Sequence, residues 1–124
     1  MERERFQELV VRAVNELPEE FLSRLNNLDV VVEDRPTISQ RRKAGLSSGH
    51  TLLGLYEGVP QTRRGRHYGL VLPDKITIFQ RPIEARCRSD REVEAEIRRV
   101  VRHEIAHHFG VGDARLRELE KGEE

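Results

Sequence analysis

The segment from Ser89 to Gly110 constrains this chain more than any other stretch. Ser89 is followed three residues later by Glu92, the pairing of a capping box, in which each side chain satisfies an orphan amide of a helix's first turn. From Val93 onward Ile97, Val100 and Val101 recur at helical spacing, and Gly110 offers the left-handed position that commonly stops a helix. The spacing predicts a long helix there, around which a chain of 124 residues must build one modest core. Successive helical residues turn by about 100°. Glu104 therefore falls within the apolar face, with His103 and His107 along its edge. Two imidazoles and a carboxylate entering a core are costly unless something compensates them, and a divalent metal does so.

His103-Glu104-Ile105-Ala106-His107 is an H-E-x-x-H pattern. Histidines four apart on a helix point the same way one turn apart. They can ligate one Zn²⁺ at about 2.0–2.1 Å while the intervening Glu reaches a water on that metal. A catalytic site of this kind needs a third protein ligand and keeps one position open. In the extended run HEIAHHFGVGD, Gly110 lets the chain turn, and Asp113 stands where the long zinc-protease motif places its last His. Asp113 is the expected third ligand. The same carboxylate is also a favoured N-cap for a last helix over 114–120, and Glu118 and Glu120 are further candidates. His108 is rotated about 100° from His107, which predicts a role other than ligation.

Elsewhere, Phe6, Leu9, Val10, Ala13, Val14 and Leu17 mark an amphipathic helix over 3–17, ended by Pro18. Leu28–Val32 reads as a buried strand and Thr51–Tyr56 as a second, with a short third at Gly69–Leu72. Pro36–His50 has the composition of a solvated loop despite its Arg41-Arg42-Lys43 triplet. Lys75–Ile83 alternates like a strand but meets Pro82, so an edge strand is expected, one whose free edge could pair with an extended substrate. No linker or repeat divides the chain, and a single domain over 1–124 is expected. Charged residues are 35% of it, yet 22 Lys and Arg balance 22 Asp and Glu, which argues against a nucleic-acid coat or a membrane surface as partner. Cys87 is the only cysteine, so neither an intrachain disulfide nor a multi-cysteine metal cluster can form. The charged start MERERFQELVV and the absence of a long apolar run predict a soluble, cytoplasmic protein.

Through its N-terminal helix, LLGLYEGVP, LPDKITIFQRPIE and VRHEIAHHFGVGD, the chain resembles the minimal zincin-like metallopeptidase family of small bacterial proteins over nearly all its length. The resemblance implies an α+β fold, a small mixed β-sheet packed on an N-terminal helix and an active-site helix, with zinc bound through His103, His107 and Asp113. It is also similar to the metzincins over HExxHxxGxx, but Asp113 replaces their third His, and Met1 is the only methionine. The expected function is zinc-dependent hydrolysis of a peptide or protein substrate, with Glu104 as general base. Tyr56, Tyr68 and His67 are candidate oxyanion donors. The short stretch after Gly110 suggests that a protein partner could complete the substrate cleft. Two other classes fit the residues less well. A metal-dependent endoribonuclease would use RRGRH, 63–67, on phosphate, and a non-enzymatic zinc-stabilised interaction module would close its metal with four protein ligands.

Overall fold

The computed structural model describes residues 1–23, 25, 28–45, 52–58 and 74–110. Its elements run α1 (Arg3–Asn15), α2 (Glu19–Leu22), β1 (Leu28–Glu33), α3 (Ile38–Lys43), β2 (Gly54–Glu57), β3 (Asp74–Phe79), α4 (Gln80–Ala85) and α5 (Asp90–Phe109). The expected strand at 69–72 and helix at 114–120 lie outside the described residues.

The three strands form one mixed sheet in the order β1-β3-β2. β1 runs parallel to β3 with Val30 opposite Ile76, and β2 runs antiparallel to it with Tyr56 opposite Ile76. Alternation along each strand sends Asp74, Ile76 and Ile78 to one face, beside Val30, Val32 and Tyr56. Helices α1 and α5 pack on that face. Phe6, Leu9, Val10 and Ala13 from α1 join Ile97, Val100, Val101 and Ile105 from α5 and Ile76 and Ile78 from β3 in one buried cluster. On the opposite face Phe79, Leu55 and Leu52 make a smaller one, against which Ala44 packs. This is a small α+β fold with a mixed sheet on an N-terminal and a C-terminal helix.

Two expectations need correction. Lys75–Ile83 is not an edge strand, because β3 stops at Phe79 and is the central strand of the sheet. Pro82 belongs to α4, in the first turn of a helix, where its missing N–H has no intrahelical partner to lose. The stretch Pro36–His50 is not wholly loop. Thr37 Oγ1 accepts from the Gln40 amide at 3.1 Å, and Gln40 Oε1 accepts from the Thr37 amide at 2.8 Å, a capping box that starts α3. None of α3 is buried, so apolar periodicity gave no sign of it. Element boundaries also move: α1 ends at Asn15, the first strand reaches Glu33, and the second spans Gly54–Glu57.

The N-terminus is tied to the junction of β3 and α4. Arg3 Nε donates to Gln80 Oε1 at 2.7 Å and its Nη1 to the Val32 carbonyl at 3.1 Å, while Gln80 Nε2 donates to the Met1 carbonyl at 2.8 Å. Each buried polar atom of Gln80 thus has a partner, which removes the cost of placing an amide side chain in the interior. Among the described residues no helix is long and apolar enough to cross a membrane.

Candidate metal centre

One half of the capping box expected at the start of α5 is present. Ser89 Oγ accepts from the Glu92 amide at 3.2 Å, and Glu92 Oε2 accepts from the Arg88 amide at 3.3 Å rather than from that of Ser89. At the other end Gly110 has φ +69°, and its amide donates to the His107 carbonyl at 3.2 Å. Between these caps the helix turns Val93, Ile97, Val100, Val101 and Glu104 inward.

One turn before Gly110, His103, Glu104 and His107 come together. Their potential ligand atoms all lie within 4.8 Å of one another. The two imidazole rings are 4.3 Å apart between centroids at 61°, and Glu104 Oε1 lies 3.7 Å from His107 Nδ1. Two nitrogens sharing one tetrahedral zinc are about 3.3 Å apart, inside the 4.8 Å span of the group's potential ligand atoms. The donor chemistry suits the same ion, since imidazole nitrogens are common zinc ligands and a carboxylate beside them can address a water on the metal. Glu104 is buried and His107 is exposed, so the group sits at the border of core and solvent, as the helical wheel predicts. Cys87 stands apart from it: its side chain packs against the main core, and burial pushes its thiol up, which keeps it protonated near neutral pH.

The group opens into a cavity of about 380 Å³ whose other walls include Leu52, Gly54, Leu55, Tyr56 and Val100. Gly54 makes this closeness feasible. A Cβ there would stand 2.7 Å from Val100 Cγ1 and 3.1 Å from Glu104 Cγ, so only a glycine lets β2 lie directly on the metal-binding turn.

His108, one residue beyond the triad, points elsewhere, as predicted. Its Nδ1 lies 2.9 Å from Asp74 Oδ2 and 3.2 Å from the Tyr56 hydroxyl, and Tyr56 donates to the same Asp74 oxygen at 2.6 Å. Tyr56 therefore lines the cavity with its ring, while its hydroxyl is engaged away from the oxyanion role considered for it. Asp74 itself gave no signal in the sequence. An acidic residue heading an apolar strand reads as a boundary, and its partners come from β2 and α5. Asp113, Glu118, Glu120, His67, Tyr68 and the RRGRH run all lie outside the described residues.

A small mixed sheet backed by a helix that carries an H-E-x-x-H metal-binding triad defines the zincin class of metal-dependent hydrolase folds. The family model described as zincin-like metallopeptidase matches residues 25–123, and the chain belongs to that family. Among solved structures it is similar to a conserved hypothetical protein from Thermo thermophilus, at 28% identity and a TM-score of 0.59, covering 88% of this chain and 94% of that one. No curated protein matches it.

Proposed function

We propose that the chain is a zinc-dependent peptidase, formed as one domain across 1–124. The observation that carries this reading is the placement of a buried carboxylate between two imidazoles, in a cavity walled by a sheet strand. His103 and His107 would hold the ion, with Asp113 as the third ligand beyond the turn at Gly110. Zinc bound there would supply Lewis-acid activation, lowering the pKa of its water to about 7. Glu104 accepts the proton of the attacking water at its carboxylate and returns it to the leaving amine, a role worth about 10² to 10⁴ in rate. Its burial beside Val100 and Gly54 holds the carboxylate in one place and keeps bulk water away from it.

The substrate edge moves with the corrected sheet order. β3 is paired on both sides, so an extended peptide cannot add along Ile76–Phe79. Among the described residues β2 is paired only with β3, and Gly54, Leu55 and Tyr56 border the cavity, so the other edge of β2 is the one a peptide main chain would meet.

The test combines metal stoichiometry with a fluorogenic peptide-library digest. The parent should bind one zinc and cleave, chelator should stop cleavage, and Glu104→Gln should keep the zinc while losing at least about 10²-fold in kcat. His103→Ala, His107→Ala and Asp113→Ala should each lose the metal. Parent-like turnover by Glu104→Gln refutes its assignment as the base, and full zinc occupancy in Asp113→Ala removes that residue from the ligand set.

A further inference from the structure

The buried group beside the metal triad is not used by the mechanism above. Asp74 is 2% exposed, and the His108 side chain is 7% exposed. Burying a carboxylate in this way is costly unless strong donors meet it. Among the described residues two do, and both approach the same oxygen, Oδ2: the Tyr56 hydroxyl at 2.6 Å and His108 Nδ1 at 2.9 Å. An ionised carboxylate only accepts, so each partner donates, and Nδ1 is the protonated nitrogen of the His108 ring. The Tyr56 and His108 rings meet edge to face, 5.3 Å apart at 74°.

The backbone is shaped to fit this cluster. A Cβ on Gly58 would fall 2.3 Å from the Tyr56 hydroxyl and 2.8 Å from Asp74 Cγ, so the chain leaving β2 passes where only a glycine fits. Three elements meet at one oxygen atom. Asp74 opens the central strand, Tyr56 lies on the strand that walls the cavity, and His108 follows the ligand His107 in the last turn of α5.

We infer that Asp74, acting through His108 and Tyr56, is a positioning residue for the metal-binding turn, locking the end of α5 to β2 and β3 so that His103 and His107 converge on one ion. The inference rests on the metal-centre reading of those two histidines. His108 cannot rotate without breaking its bond to Asp74, and His107 is joined to it by one peptide unit. The rotation of that turn about the helix axis is thereby set by a contact on the sheet, outside the ligand set itself.

Zinc affinity by chelator competition, and the visible absorption spectrum of the cobalt-substituted protein, test this without any substrate. Asp74→Ala and His108→Ala should bind zinc about 10- to 100-fold more weakly than the parent and show a changed cobalt spectrum. His108→Asn, whose amide nitrogen can take the place of Nδ1 towards Asp74, should recover affinity to within a few-fold. Val93→Ala, in the buried face of α5 at its other end, serves as the control for general destabilisation and should bind as the parent does. If His108→Ala does not fold, Asp74→Ala and His108→Asn carry the comparison. Parent-like affinity and spectrum in Asp74→Ala overturn the positioning role alone, as does an equal loss in Val93→Ala. A parent that binds no zinc overturns the metal-centre reading, and this inference with it.

Discussion

Gly54 shows how tightly single positions are specified around the triad. Adding one methyl group there brings it to 2.7 Å from Val100 and 3.1 Å from Glu104, and neither neighbour can retreat freely because both lie in the buried face of α5. Gly54→Ala should cost about 1–3 kcal/mol by urea denaturation, the usual penalty of overpacking. It should lower kcat as well, since relief of the clash displaces Glu104. A stable variant with parent kinetics would show that the strand and helix are not in such close contact. His103, Glu104 and His107 were legible in the sequence because helical geometry converts a four-residue spacing into proximity without help from the rest of the chain. Gly54, Gly58 and Asp74 were not, because what each must satisfy comes from residues on other elements, and one sequence does not show which elements meet.

Among the elements, α5 was read most completely, for the same reason. Its start at Ser89, its buried stripe and its stop at Gly110 are all local signals, and all three are present. The sheet was read less well. Alternation in KITIF identifies a strand but does not say how many neighbours it has, and Pro82 suggested an edge only while it was counted within the strand. For α3 the signal existed at Thr37 and Gln40, but a short helix with no buried face leaves no apolar stripe. The end of α5 offers a direct test of local control. Replacing Gly110, at φ +69°, forces a side chain into the left-handed region at a cost of about 1–2 kcal/mol. Gly110→Ala should show that loss in chemical denaturation, together with faster amide exchange in the last turn, where His107 sits. Unchanged exchange there would mean that the sheet contacts alone hold the turn.

At the scale of the whole molecule, a metal that binds only the folded chain must stabilise it. At a free zinc concentration of 100 times Kd the gain is about 2.7 kcal/mol, which in a protein of this size raises the melting temperature by roughly 10 °C. Calorimetry should show that rise on adding zinc, its reversal by chelator, and its absence in His103→Ala. A melting temperature indifferent to zinc in the parent would count against a site that requires the native fold. The strand order has a consequence for biosynthesis. Among the described residues, the first two strands to leave the ribosome have no hydrogen-bonded contact with each other and must wait, with both borders open, for the third to slide between them. His103 and His107 emerge later still. Among the described residues, a nascent chain halted before Asp74 would hold no paired strands, and the machinery for capturing a cation would be completed only after β3 had been threaded into place.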